Sequence, residues 1–191
     1  MKGSKIHKWQ EKRLLGKIQN GDEESFGKIY DWYVNRIFKY VSLKIGSIEK
    51  AEEIVQDVFL KFWRFARDKE NKVKNISAFL YKIAKSMVAD HYRTTAGEGK
   101  IISLEETIIV EDETIGEEEL ADNIDLNLDI EKIKMALEKL PRSYQDVIIM
   151  KFMEELTNKE IAEILEKEEG HIRVLAHRAL KQLRSLLKSN D

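Results

Sequence analysis

Arg173, His177, Lys181, Arg184 and Lys188 recur three or four apart near the end of the chain, and no acid lies between His171 and Lys188. Cations and imidazoles at that spacing share one helix face and can neutralise nucleic-acid phosphates, a contact that supplies much of the free energy of DNA binding. The other stripe of the same stretch (Ile172, Leu175, Ala176, Ala179, Leu183, Leu186) is apolar and needs a packing partner. Upstream, Thr157 stands three residues before Glu160 and ahead of Ile161, Ala162 and Leu165, the pattern of a capping box and a short amphipathic helix. A break at 166–169 separates the two. Earlier still, Pro141 suits the first position of a helix whose buried face is Tyr144, Val147, Ile148 and Phe152. A short helix, a tight turn and a longer basic helix form the layout of a helix-turn-helix, whose second helix enters the major groove. A three-helix bundle with a solvated basic face has the same periodicity. The one-sided charge of the last helix favours DNA.

A second set of polar residues stands out by its setting. Over 51–66, Ile54, Val55, Val58, Phe59, Phe62, Trp63 and Phe65 cover well over half of a helix, leaving a strip of Glu53, Gln56, Asp57, Lys61 and Arg64. A narrow polar strip on an otherwise buried helix is either ordinary solvated surface or a place where a partner docks. A third set follows it. The charged loop 67–75 precedes a helix over 78–93, capped by Ser77, with Phe79, Leu80, Ile83, Ala84, Met87 and Val88 inward and Lys82, Lys85, Ser86 and Arg93 outward. A basic helix behind a basic, asparagine-containing loop can hold a single nucleic-acid strand, although a solvated helix would look alike.

Catalytic chemistry finds little support. The four histidines (7, 91, 171, 177) have neither the HExxH nor another metal-ligand spacing, and no phosphate loop or nucleophile elbow occurs. The pair Glu52 and Glu53 is most simply surface charge. With no cysteine, disulfides, thiolate zinc sites and cysteine nucleophiles are excluded. The expectation is a protein that is not an enzyme and takes no metal or cofactor.

The elements that must position these residues can be read from composition and charge. A single proline and abundant Leu, Ile, Glu, Lys and Ala favour an all-α fold, and 42% hydrophobic residues suffice for compact cores. The net charge of −2 conceals blocks: residues 1–95 carry 20 Lys+Arg against 12 Asp+Glu, 96–131 carry 1 against 13, and 132–191 carry 12 against 10. Two small helical domains, 1–95 and 132–191, are therefore expected on either side of an acidic linker, 96–131, helical again from about Asp125. In the first domain, Ile6, Trp9, Leu14, Leu15 and Ile18 suggest a short helix ended by Asn20 and Gly21. Asp22 caps a second helix with the inward face Phe26, Ile29, Tyr30, Tyr33, Val34, Ile37 and Val41, and Gly46 and Ser47 break and cap before the third. No apolar run approaches a membrane span, and the first residues are too polar for a signal peptide, so a soluble cytoplasmic protein is expected.

In this frame the order of short strings becomes informative. Gly21 and Asp22 with Phe26 and Tyr30 are followed by Ala51-Glu52-Glu53-Ile54-Val55-Gln56-Asp57-Val58-Phe59-Leu60 with Trp63. Ala78-Phe79-Leu80 then leads through Ile83-Ala84 to Asp90-His91-Tyr92-Arg93. Leu137, Leu140-Pro141, Glu160-Ile161-Ala162, Arg178-Ala179 and Leu183-Arg184 complete the series. Over roughly 21–95 and 132–187 the chain resembles bacterial RNA polymerase sigma factors of the extracytoplasmic-function group. That resemblance implies a transcription initiation factor with core RNA polymerase and promoter DNA, both duplex and melted strand, as partners, and an anti-sigma factor of the kind that holds many such proteins inactive. It implies polymerase docking through Glu53, Gln56 and Asp57. The minus-ten element would be bound as a melted strand by Lys74 and Asn75, with Lys82, Lys85 and Arg93 on phosphates. The minus-thirty-five element would be read as duplex through His171, Arg173, Val174, His177 and Arg178. A duplex-only regulator whose first domain senses a ligand or dimerises is the alternative. The chain departs from the group at Ser86, where an asparagine is usual, and at His171, where a threonine is common. Its turn Glu166-Lys167-Glu168-Glu169 also lacks the usual glycine and Ser/Thr cap.

Overall fold

The computed structural model describes residues 8–95 and 130–188. Among them the ordered elements are helices, with no strand, as the all-α expectation requires. Of the expected linker, 96–131, all but the last two residues lies outside the described residues, as does its return to helix near Asp125; Ile130 and Glu131 already belong to a helix. The chain divides into two compact units, Met1–Lys100 and Ile101–Asp191. No helix among the described residues is long and apolar enough to cross a membrane.

The first unit holds α1 (Lys8–Ile18), α2 (Glu23–Ser42), α3 (Ile48–Arg67) and α4 (Ile76–Thr95). Gly21 ends α1 at φ +84°, where the Ile18 carbonyl accepts its N–H at 2.8 Å and the Lys17 carbonyl accepts that of Asp22 at 3.2 Å. A side chain there would meet its own backbone, so glycine is the natural residue. Asp22 occupies the N-cap position of α2, and its carboxylate accepts the Ser25 hydroxyl at 2.6 Å. That hydrogen bond holds the Asp22 carboxyl below the usual range. Ser47 caps α3 by accepting the Lys50 N–H at 3.1 Å.

Packing is strongest where α3 meets α2 and α4. The core there is largely aromatic. Phe62 is fully buried, its ring 6.3 Å from Phe26 and 6.3 Å from Phe79. Trp63 lies 4.8 Å from Phe26, and Phe65 lies 4.6 Å from Phe79. Such pairs add about 0.5–1.5 kcal/mol each beyond the area they bury. Tyr30, expected inside, sits at the rim with 37% exposure, edge-on to Phe59 at 4.8 Å. Tyr81 takes an inner place instead, fully buried and edge-on to Tyr40 at 5.5 Å. The Tyr92 hydroxyl donates to the Lys44 carbonyl and pins the end of α4 to the segment after α2.

The second unit holds α5 (Ile130–Glu138), α6 (Arg142–Ile148), a π-helical turn (Ile149–Met153), α7 (Asn158–Leu165) and α8 (Glu169–Lys188). Pro141 is the N-cap of α6, one place before the expected first helical position. Its ψ of 146° is extended, and its carbonyl accepts from Tyr144 and Gln145 at 2.9 and 3.0 Å. A proline N-cap has no hydroxyl, and the Gln145 side chain satisfies the nearby Leu140 carbonyl at 3.0 Å. In the π turn the Glu154 N–H reaches back five residues to Ile149 at 3.0 Å. That wider turn shifts the helical phase, so Phe152, expected inside, is only half-buried. The capping box at Thr157 and Glu160 is complete in both directions. α8 packs on α5, α6 and α7 through Ile172, Leu175, Ala176, Ala179, Leu180 and Leu183, whereas Leu186 is half-buried.

Candidate functional site

Three surfaces carry the residues singled out by sequence. On α3 the capped start and the apolar stripe (Ile54, Val55, Val58, Phe59) turn Glu52, Glu53, Gln56 and Asp57 to solvent together. Glu53 pairs with Lys50 at 2.7 Å. Both groups are well exposed, so a partner can displace that bond cheaply. Farther along, Leu60 is 44% exposed among polar neighbours and lines a shallow cleft with Trp63, Arg64, Arg67 and Asp68. The Arg67 guanidinium lies 5.2 Å over the Trp63 ring. Sequence periodicity put Trp63 in the core and gave Leu60 no role, yet an exposed leucine between Asp57 and Lys61 was the available sign of an apolar contact.

The second surface begins at the loop after α3. Asp68 accepts from the Glu70 N–H at 3.0 Å and from the Asn71 amide at 3.2 Å, folding the loop on itself. Asn75, not Ser77, caps α4: its side-chain oxygen accepts the Ala78 N–H at 3.0 Å. Both residue types cap helices. The loop delivers the chain two residues earlier than expected, so Ser77 falls inside the helix, where its hydroxyl is buried without a partner. Lys74 is exposed beside this cap, and Lys82 and Lys85 are half-buried. Arg93 is exposed and pairs with Asp90 one turn back. Lys82, Lys85 and Arg93 share a helix face by their spacing and span roughly 16 Å.

At the third surface, Glu166 ends α7 in the left-handed region at φ 56°, ψ 45°, with the Ala162 carbonyl accepting its N–H. A β-carbon in that region costs energy that glycine avoids. The Glu168 carbonyl accepts the Ile172 N–H at 3.1 Å, which makes Glu168 the residue preceding α8. His171, Arg173, Val174, His177 and Arg178 are all half-buried along the start of α8. The His171 Nε2 is buried without a hydrogen-bond partner. Burial first, then the Lys167 and Arg178 cations, push its imidazole below the ordinary value. Beyond them His177, Leu180, Lys181, Arg184, Ser185 and Lys188 line a shallow cleft on α8.

One residue of this surface escaped sequence reasoning. Lys151, in the π turn, donates from Nζ to the Asn158 Oδ1 at 2.5 Å. Burial and the Arg173 guanidinium push its ammonium below the ordinary lysine value. The only sequence sign was a cation inside the apolar stretch 147–153. No group of three or more His, Asp or Glu side chains that could hold a metal occurs among the described residues.

The geometry of the second unit, a capped helix, a short turn and a long basic helix, defines a helix-turn-helix protein. Comparison with known proteins narrows the class. Residues 29–98 match the family model for sigma-70 region 2, and residues 130–183 match that for sigma-70 region 4. The chain belongs to the sigma-70 family, in its extracytoplasmic-function group. It is 26% identical over 174 residues to the ECF RNA polymerase sigma factor BldN of Streptomyces coelicolor, covering 91% of this chain and 64% of that protein. It is 25% identical over 181 residues to the ECF RNA polymerase sigma factor SigW of Bacillus subtilis, covering 93% of this chain and 96% of that one. Among solved structures, CnrH in complex with the cytosolic domain of CnrY aligns with a TM-score of 0.68 at 17% identity, over 95% of this chain and 99% of that one. The sigma factor RpoE, in complex with the anti-sigma factor NepR from Bartonella quintana, aligns at 0.62 and 20% identity, over 88% and 99%. These two likenesses establish a shared fold.

Proposed function

We propose that this protein is a sigma factor that binds core RNA polymerase, directs it to promoters and helps to open them, with no catalytic step of its own. The observation that carries this reading is the presence, in order on one chain, of a region 2 match around α3 and a region 4 match around α8. Glu53, Gln56 and Asp57 dock on polymerase, joined by the exposed Leu60. The loop at Lys74 and Asn75 takes a base of the melted minus-ten strand, and Lys82, Lys85 and Arg93 hold its phosphates. α8 enters the major groove of the minus-thirty-five duplex by the side that carries His171, Arg173, Val174, His177 and Arg178. An anti-sigma factor is a further partner in this reading, as NepR is for the RpoE of similar fold.

The test is run-off transcription with sigma-free bacterial core polymerase, this protein and a promoter-library template. Selective transcripts that depend on the protein are expected, and their upstream sequences supply both promoter elements. Absence of transcripts together with failure to co-elute with core polymerase overturns the proposal. Sequence-specific duplex binding without polymerase would then favour a duplex-only regulator.

A further inference from the structure

α1 presents to solvent a face that its packing does not need. Trp9, Lys12, Arg13, Gly16, Lys17 and Asn20 recur three or four apart and are all exposed, opposite the buried Leu14 and Ile18. Trp9 is 62% exposed, although an indole is among the side chains that gain most from burial. Glu11, the one acid of α1, is turned the other way, where the Tyr33 hydroxyl donates to its carboxylate at 3.0 Å. Lys17 lies in the field of Asp22 and Glu24, so Lys12 and Arg13 carry most of the outward positive charge. Gly16 stands between them and Lys17 with open space where a β-carbon would point, at a place where alanine would favour the helix more. A ring, two cations and a bare step on one helix face suit a nucleic-acid strand, the ring for a base and the cations for phosphates.

The place of this face in the first unit indicates which strand reaches it. α1 packs on α2 and α3, and at its end the Gln19 amide donates to the Asn71 carbonyl at 3.5 Å. The stripe therefore runs up to the loop that carries Lys72, Lys74 and Asn75, where both lysines are exposed. α1 also precedes residues 29–98, the stretch that matches region 2, so that match assigns it no role. A lipid surface is a poorer occupant, because Leu14 and Ile18 are committed to the core and only one ring could insert. Duplex DNA is poorer as well. Its bases stack on one another, whereas a melted strand offers Trp9 a free face.

We propose that the outer face of α1 binds the melted promoter strand beyond the loop at Lys74 and Asn75, with Trp9 stacked on an unpaired base and Lys12 and Arg13 on phosphates. This rests on the loop itself taking a melted strand. It lengthens the path of that strand by about 12 Å, the rise from Trp9 to Lys17. Every base has a face to stack, and phosphate contacts carry no sequence information. α1 therefore adds hold on an opened promoter without adding preference for one sequence.

The experiment uses the full chain with core polymerase and measures affinity across a potassium chloride series. The probes are two forms of one promoter fragment recovered by run-off transcription, fully paired and with a pre-melted bubble over the minus-ten element. Trp9→Ala should weaken bubble binding about tenfold and leave the salt slope alone, and Trp9→Phe should keep most of the affinity. Lys12→Gln combined with Arg13→Gln should lower the slope of log K against log salt by about 1.4, two single-strand phosphates' worth. Gly16→Gln should raise the melting temperature yet weaken the bubble complex, opposite shifts that a purely structural role would not give. If these variants bind the bubble like the parent while Lys74→Gln binds it less well, the stripe is solvated surface. The proposal then falls and the minus-ten reading stands. Equal losses on the bubble and the paired fragment would mean that the face holds duplex backbone, and the strand assignment is wrong. If the variants co-elute less with core polymerase when no DNA is present, the face meets protein instead. If anionic phospholipid vesicles retain the parent but not Trp9→Ala, and bubble affinity is the same for both, it meets lipid. If the parent gains nothing from the bubble and Lys74→Gln changes nothing, the promoter-opening reading itself fails, and this inference with it.

Discussion

α3 and α8 are helices of equal length, 20 residues each, and each has one buried stripe, but they are held by different means. α3 is gripped by rings: Phe59 and Phe62 are buried, and Phe26, Tyr30 and Phe79 close around them from α2 and α4. α8 buries smaller groups, with Ala176 and Ala179 fully enclosed between Ile172, Leu175, Leu180 and Leu183. Rings fill a broad socket and leave only a narrow strip of α3 outside. Alanines let neighbouring helices approach closely and leave the long cationic side of α8 outside. The difference suits the two tasks proposed for these helices, since a protein partner needs a few fixed polar groups and a DNA duplex needs a long charged rod.

If that contrast is right, α3 is broken by losing volume and α8 by gaining it. Phe62→Ala should cost about 4 kcal/mol, because the ring is fully buried and its neighbours cannot collapse into the space. Ala176→Leu should cost about 2 kcal/mol by overpacking. Denaturant midpoints with hydrogen exchange in each unit would measure both. Full tolerance of Ala176→Leu would show that α8 has slack and erase the distinction.

A smaller effect sharpens the comparison at the helix starts. Ser47 opens α3 with a proper cap, whereas the turn that leads into α8 starts from Glu166, the end of α7, held at positive φ. Glu166→Gly should therefore stabilise the second unit by about 1 kcal/mol, with strain relief set against a freer unfolded chain. A thermal shift in the opposite direction would mean that the Glu166 side chain contributes more than its backbone costs.

The smallest effect is proton-linked. His171 titrates below the ordinary imidazole value of 6.5, since burial and then Lys167 and Arg178 disfavour its charged form. As pH falls, the unfolded chain takes up that proton before the folded one does. Stability from this source is full above pH 6.5 and declines as pH drops from there toward the depressed folded value. His171→Gln should flatten that decline in thermal melts, and an unchanged profile would assign it to other groups.

Much of the scaffold was legible in the chain because its signals are local. Ser47, Thr157 with Glu160, and Gly21 each act within four residues of themselves, and all three sit where spacing put them. The polar strip of α3 was legible for a related reason: dense apolar residues leave few places for Gln56 and Asp57 to go. The misses arise where tertiary structure chooses among equal local options. Asn75 and Ser77 are both good caps, and the hydrogen bonds of Asp68 and Asn71 decide which one the chain reaches. Nothing in the apolar stretch 147–153 separates an α turn from a π turn, so neither the phase of Phe152 nor the bond from Lys151 to Asn158 could be foreseen.

That π turn makes the second unit sensitive to length more than to lettering. Removing one residue there would return the backbone to ordinary α winding and rotate all that follows by about 100°. Lys151 and Asn158 would then no longer face each other, although every side chain survived. Substitutions in this stretch edit single contacts, whereas an insertion or deletion resets the clock by which the whole of α8 is aimed.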